Sequence, residues 1–355
     1  MRQTESTDRS DWDTLAGRLG GQPFQAWAWG QLKARFGWQP HRLSAVDGAS
    51  AAQLLIRPFR GLSVAYVPRG PIAAADGSVD AGLLEEIVRV ARSRRAAFVR
   101  LEPALTIDHP AAATLDAQLR AAGFKAAEKT IQPRSTVVLD LAPTLPELLA
   151  GLSKGHRADI KRAARDGVIV RASADPAETQ TLHDMLAASS SRKSFGYHSA
   201  GYYRALLEAY ADAAQLFIAE RDGAPIGASL VLAWNGQGVY LAAGSNAAGL
   251  DHHAAHALQW QAISWAKERG AMTWDLFGIA DARGRVELAA AAGADRATAE
   301  MERLEAAARS DPLDGVYRFK KGWGGRVVRF MPAYERVFIG PVHWLWQRRR
   351  EPDAP

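Results

Sequence analysis

The chain has 355 residues, 44 of them Lys or Arg and 38 Asp or Glu, for a formal net charge of +6. Hydrophobic residues make up 48% and charged residues 23%, which excludes a disordered or fibrous chain and supplies enough apolar material for two domains. The absence of cysteine excludes a disulfide framework, a thiolate zinc site, an iron–sulfur centre and a cysteine nucleophile.

The first residues, MRQTESTDRSDWD, are polar and acidic where a secretory leader needs an apolar stretch. No run of about 18 apolar residues occurs, so the expected location is cytoplasmic. Helical periodicity appears at residues 25–36, 80–95, 111–122, 145–166, 177–190, 199–210 and 253–269. Short β-rich runs lie between them at 41–46, 53–58, 63–67, 97–101, 135–141, 168–171, 216–220, 228–234, 238–242 and 272–276. This alternation predicts a mixed α/β (α+β) chain. For the helix at 145–166, Thr144 and Glu147 have capping-box spacing, Leu145, Leu148, Leu149, Leu152 and Ile160 form the apolar stripe, and Gly167 is the C-terminal stop.

The chain also repeats itself. ARSRRAAFVRLEP from Ala91 aligns with AKERGAMTWDLFG from Ala266, and QLLIRPFRGLSVAY from Gln53 with SLVLAWNGQGVYLA from Ser229, at a shared offset of about 175 residues. Each copy reads as hairpin, helix, strand. The expectation is two homologous domains facing each other across a cleft: residues 1–142, with about 326–355 returning to them, and residues 143–325. The second domain carries an Ala-rich helical insertion at about 281–311 with charges on one side, which reads as a solvated helix.

The common chemical motifs are missing. No GxxxxGK[ST] or GxGxxG occurs, so nucleotide hydrolysis and dinucleotide redox chemistry lose their usual sites, and GLSKG at 151–155 fits GxSxG but falls inside the predicted helix 145–166 rather than on a strand-to-helix turn, so no serine elbow is expected. Ser190-Ser191-Arg192-Lys193 fits SxxK without a KTG or SDN partner and reads as a helix terminus. His252 and His256 share i,i+4 spacing but lack an evident third ligand, so no metal is expected and the pair reads as a polar helix start. Two basic runs, 154–171 and 317–350, suit a phosphate-rich ligand or a solvated helix face. The repeated hairpin, helix, strand order is the kernel of acetyltransferase-like (GNAT) folds. Neither SNAAGLDHHAAHAL nor RGPIAAADGSVDAG supplies the [QR]xxGx[GA] loop that acyl-CoA requires. Such a chain takes its acyl group from another donor or has lost catalysis.

Nine segments in order carry a resemblance: FQAWAWGQLKARFGW, AYVPRGPI, TIQPRSTVVLDL, LSKGHRADIKRAARDGVIV, GYHSAGYYRALL, FIAERDGAPIGASLVL, VYLAAGS, WDLFGI and GVYRFKKGWGG. Over nearly its whole length the sequence resembles the Fem-type (FemABX) family of peptidoglycan aminoacyltransferases, which pair two GNAT-like domains. The resemblance implies transfer of an amino acid from aminoacyl-tRNA to an amine of the stem peptide of a UDP-MurNAc-peptide or lipid-linked precursor, by a cytoplasmic, cofactor-free monomer. It also implies residue roles. Lys320 stabilises charge at the reacting ester, Phe319 stacks on the tRNA terminus, Lys33 grips the acceptor diphosphate and Tyr202 contacts the acceptor. Trp38, Tyr66, Arg69, Arg192, Lys193, His198, Tyr240 and Tyr317 complete the expected substrate-binding set.

Two positions depart from the family pattern and point to a variant acceptor. His198 stands where many members carry arginine, so diphosphate binding is either weakened or passed to Arg192 or Lys193, and Ala242 replaces the second aromatic of a YxYxGS-like element. With the resemblance in place, the insertion at about 281–311 is either a tRNA-contacting arm or a solvated helix, and a GNAT-like acyltransferase with another donor and a catalytically silent tRNA-binding protein are the competing readings. At the C-terminus, Trp344, Leu345 and Trp346 beside Arg348, Arg349 and Arg350 fit either a transient foothold on an anionic membrane or packing of Trp344 and Trp346 onto the first domain.

Overall fold

A computed structural model describes residues 4–127, 129–193, 196–295, 298–311 and 313–348, without the side chains of Arg192 and Lys193. Chain contacts divide it into unit 1, Met1–Arg134 with Phe330–Pro355, and unit 2, Ser135–Arg329. The sheet of unit 1 runs β1 (Thr4–Glu5), β2 (Gln39–Ser44), β3 (Ala51–Phe59), β4 (Leu62–Val67), β5 (Ala96–Leu101), β14 (Ala333–Val337) and β6 (Lys125–Ala127). In unit 2 the order is β13 (Arg326–Arg329), β7 (Ser135–Asp140), β12 (Thr273–Ile279), β11 (Gln237–Ser245), β10 (Ala224–Trp234), β9 (Ala214–Arg221) and β8 (Ile169–Ser173).

The repeat seen in the sequence is a repeat of structure. β3 and β4 form an antiparallel hairpin, the helix Ala81–Ser93 crosses over, and β5 lies parallel to β4. β10, β11, the helix Ala254–Glu268 and β12 do the same in unit 2. Two parallel neighbours need such a crossover. In unit 1 the crossover helix is started by Asp80, whose carboxylate accepts the Leu83 N–H at 2.9 Å. It buries Leu83, Leu84, Ile87, Val88, Val90 and Ala91 at helical spacing against the sheet.

Three local expectations are corrected. The boundary expected after residue 142 lies at Arg134–Ser135, because β7 pairs with β12 and β13 and buries Val137 and Leu139 in the core of unit 2. The single helix expected over 145–166 is two helices, Leu145–Gly151 and Lys154–Arg165. They break at Leu152, whose ψ of 154° is extended, and the freed Ser153 N–H donates to the Gly322 carbonyl at 2.9 Å. The Thr144–Glu147 capping box does form. Finally, only one C-terminal tryptophan packs. On the helix Gly340–Gln347, Trp346 meets Phe59 and Phe98 edge-on, whereas Trp344 is 52% exposed under the Arg348 guanidinium. Residues two apart on a helix point to different sides, so the two rings do not share a surface. Arg349 and Arg350 lie outside the described residues. Among the described residues, no helix is long and apolar enough to cross a membrane.

Residues 281–311 form two packed helices, Asp281–Ala291 and Ala299–Ser310, tied into unit 2 rather than free of it. Arg283 bonds Glu305 and Asp314, and the Asp281 carboxylate accepts from Ser135 Oγ and both reachable nitrogens of Arg329.

Unit 1 is closed by β14, and a buried charge fixes it. Arg100 on β5 donates twice to Glu335 Oε1, at 2.8 and 2.6 Å, while Oε2 faces His343 at 2.8 Å and accepts from Gln347 at 3.2 Å. Removing one partner of a buried ion pair strands the other, typically at a cost of about 3–5 kcal/mol. Glu335→Ala should therefore speed hydrogen exchange of the β5 amides on the order of 10²-fold or more, whereas unchanged exchange would show that the pair does not hold the strand.

Candidate active site

In unit 2 the helix Asp314–Lys321 runs into the turn Gly322-Trp323-Gly324-Gly325. The glycines are required by close approach. A Cβ on Gly322 would lie 2.1 Å from the His156 ring, and one on Gly324, which has φ +81°, 2.9 Å from the Gly151 carbonyl. The turn therefore seats on the break between the two helices of residues 145–165. His156 wedges beneath it, with Nε2 2.8 Å from the Phe319 carbonyl and Nδ1 3.0 Å from Ser153 Oγ. A carbonyl only accepts, so Nε2 carries the proton and Nδ1 accepts the serine hydroxyl. Burial lowers the pKa of this imidazole and keeps it neutral. Phe319 packs beside His156, His256 and Trp323.

Lys320 is 8% exposed, and its ammonium donates to the carbonyls of Phe277 at 2.7 Å and Gly278 at 2.6 Å. Both carbonyls are turned out by a β-bulge, since pairing of β12 with β7 passes from Asp275–Val138 to Gly278–Thr136 with one residue too many. Phe277 takes φ +61°, a left-handed conformation that costs on the order of 1–3 kcal/mol for such a residue. Asp275 supports it: its Oδ1 accepts the Phe277 N–H at 2.7 Å and also the Thr136 hydroxyl. The parallel pairing of β11 with β12 stops at Val239–Asp275. The fixed cation thus sits where the two central strands part, an arrangement suited to stabilising negative charge that develops on a substrate.

Other expected residues of unit 2 surround this framework in different ways. Tyr240 directly follows Val239, the last residue of β11 paired with β12, is buried 6.2 Å from the Trp274 ring, and has its phenol pKa raised by burial. Tyr202, on the helix Ala200–Tyr210 capped by Ser199, is buried with His198 stacked flat on it at 3.8 Å. Tyr317 lies under the Arg283 guanidinium at 5.3 Å, where it anchors the inserted helices. Ser190 and Ser191 lie near the end of the helix Thr179–Lys193, as expected of a helix terminus, and the Arg192 and Lys193 side chains are outside the described set. The basic run 154–171 is largely paired locally, Arg162 with Asp159, Arg165 with Asp166, and Arg171 with Glu178 and Glu220. His252 and His256 do not share a partner. The helix starts only at Ala254, His252 turns to Asp166 and Arg221, and His256 faces Asp159 together with His253.

Unit 1 gathers the remaining expected residues. Lys33, on the helix Trp27–Arg35, is 3% exposed with its ammonium 5.0 Å from the Trp29 ring centroid, so it is not a solvated helix lysine. Trp38 and Tyr66 are buried with ring centroids 6.4 Å apart. Tyr66 donates to Glu102 at 2.7 Å, and Glu102 also accepts the N–H groups of Ile131 and Gln132. Burial pushes the Glu102 pKa up against the pull of these bonds. Arg69, at φ +48°, donates to the Pro133 carbonyl at 2.7 Å and stacks on Phe330 at 3.9 Å, which engages its guanidinium within the unit.

Sequence reasoning missed His156, Asp275, Phe277 and Glu102. Ser153 followed three residues later by His156 carries a capping signal, but nothing in WDLFGI marks which residue bulges. The close approach can be tested by two alanines. Gly322→Ala should destabilise unit 2 by about 1–3 kcal/mol through overpacking against His156. Gly315→Ala, in the helix that leads into this turn and with nothing within 4 Å of its Cβ, should be neutral or stabilising by up to about 1 kcal/mol. Equal melting temperatures for the two variants would contradict the packing described.

Comparison with known proteins places this geometry. A sequence profile of the FemAB family matches residues 20–224. The UDP-N-acetylmuramoylpentapeptide-lysine N(6)-alanyltransferase of Weissella viridescens is 27% identical over 276 residues, covering 73% of this chain and 80% of that protein. The crystal structure of FemX superposes with a TM-score of 0.78 at 18% identity, over 98% of this chain and 100% of that one. A tandem GNAT protein from the clavulanic acid biosynthesis pathway gives 0.51 at 13% identity, over 95% and 98%. The expected fold, mixed α/β with two tandem GNAT-like domains, is borne out by these two structures. With the family profile spanning more than half of its length, the chain belongs to the FemAB family.

Proposed function

We propose that this protein moves an amino acid from aminoacyl-tRNA to an amine of the stem peptide of a peptidoglycan precursor. The observation that carries the reading is the buried Lys320 ammonium, held by the Phe277 and Gly278 carbonyls at the parting of β11 and β12. The acceptor class is supported by the relative from Weissella viridescens, whose name gives a UDP-linked muramoyl pentapeptide lysine as its substrate. An RNA donor is supported by the lack of an acyl-CoA loop and by the basic residues around the site, including exposed Arg318 and Lys321 on the Lys320 helix.

In this reaction the acceptor amine attacks the ester carbonyl that joins the amino acid to the tRNA 3′ ribose. A C–N bond forms, the C–O bond to the ribose breaks, and the amine proton leaves with the ribose hydroxyl. Ester aminolysis is downhill, so the protein has to align the partners and stabilise the developing oxyanion. Lys320 supplies the positive charge for that oxyanion, and Phe319 offers a ring for the terminal adenine. Lys33, being desolvated, binds a diphosphate more strongly than a surface lysine would. No covalent enzyme intermediate is needed.

With charged tRNA and a muramyl pentapeptide acceptor, an amide product that disappears after RNase treatment is expected. Product formed from acyl-CoA alone, or binding without turnover, would replace this reading by one of its competitors. Lys320→Ala should lower turnover on the order of 10²-fold or more with the fold intact, and Lys320→Arg should rescue poorly because a planar guanidinium does not occupy the place of a compact ammonium. Lys33→Ala should raise KM for the diphosphate acceptor more than KM for tRNA, and equal changes would remove its assigned role.

A further inference from the structure

We propose that Asp159, His253 and His256 in unit 2 bind one divalent transition-metal ion of the zinc class. His253 Nδ1 lies 3.6 Å from Asp159 Oδ1, and His256 Nε2 lies 3.6 Å from Asp159 Oδ2. One ligand atom from each of the three residues falls within 4.8 Å of the others. These separations are too long for hydrogen bonds, which end near 3.2 Å. They are close to the roughly 3.3 Å between neighbouring ligand atoms around a tetrahedral zinc bonded at about 2.0–2.1 Å. Each imidazole nitrogen lies nearest a different oxygen of the carboxylate, so one oxygen and both nitrogens lie within 4.8 Å of one another, and a small turn of the side chains brings these three ligand atoms onto one ion.

The local chain supports the same reading. His253 is the last residue before the helix Ala254–Glu268 and takes φ +57°, yet its side chain caps nothing. His256 follows one turn later, so both rings project from the start of that helix toward Asp159 on the helix Lys154–Arg165. Asp159 and the two histidine side chains are 15–26% exposed, so an ion and a water in the fourth position can reach them. One existing contact must adjust, because Arg162 Nη1 donates to Asp159 Oδ1 at 2.9 Å. That arginine is more than half exposed and can swing to solvent. Two imidazole nitrogens and one carboxylate oxygen favour Zn²⁺, Co²⁺ or Ni²⁺ over Mg²⁺ or Ca²⁺. An ion there would clamp the two helices and fix the His256 ring, 5.1 Å from Phe319, independently of the transfer reaction.

The test uses the tag-free full chain after chelation, titrated with Zn²⁺ alone by calorimetry, with a thermal scan and the visible absorption of the Co²⁺ form. One equivalent bound, an upward shift of the melting temperature and d–d bands of a tetrahedral ion are expected. Asp159→Asn and His253→Ala should each weaken binding on the order of 10²-fold while melting like the parent without metal. His183→Ala, on another helix, should bind as the parent does. No binding by the parent, or equal binding in all three variants, would overturn the site. Should one variant melt early without metal, the other decides alone.

Discussion

The site depends on one contact, the Lys320 ammonium held between the carbonyls of Phe277 and Gly278. Neither partner is available in an ordinary strand, where carbonyls are spent on the ladder. Three features make it available: a bulge in β12, a phenylalanine in the left-handed region and an aspartate that bonds the backbone of that phenylalanine. The strain is local and is offset by the surrounding pairing of β12 with β7 and β11. On the other side, the helix carrying Lys320 is fixed by His156 and by glycines that let its terminal turn seat on the break at Leu152.

The duplicated fold explains why this contact arises in unit 2. Both units use hairpin, crossover helix and parallel strand. In unit 1 the parallel pairing continues to the strand ends at Val67–Leu101. In unit 2 the pairing stops at Val239–Asp275 and the strands diverge. Unit 1 instead develops a buried polar cluster of Tyr66, Glu102 and the Ile131–Gln132 backbone beside Trp38, and a desolvated Lys33. One architecture thus carries a buried cation held by backbone carbonyls in one copy and a buried polar, aromatic cluster in the other.

Much of the fold was legible because it rests on periodicity and on short-range signals. The capping box at Thr144 and the apolar face of the helix Ala81–Ser93 follow directly from residue spacing. The break at Leu152 was hard to read, because the stripe of leucines continues through it, and the local cap of Ser153 on His156 is completed by a carbonyl as distant as that of Gly322. Placing β7 in the second sheet likewise depends on β12 and β13, far along the chain. For the site, the Phe319–Lys320 pair was marked by the family resemblance and remains a proposed role. The residues that hold it were invisible, since a bulge depends on pairing register and His156 depends on a partner over 160 positions away. Trp344 shows the limit of composition: an aromatic beside arginines reads the same whether it packs or not, and the helix phase alone separates it from Trp346.

In the proposed reaction the bulge, through its carbonyls, sets Lys320 for catalysis. This placement is tested most directly by Asp275→Ala, which removes the support of Phe277 and leaves Lys320, Phe319 and Lys33 in place. Single-turnover rates with charged tRNA and saturating acceptor should fall on the order of 10-fold or more, with acceptor KM unchanged, because only the placement of the cation is disturbed. An unaltered single-turnover rate in a folded Asp275→Ala protein would contradict the account.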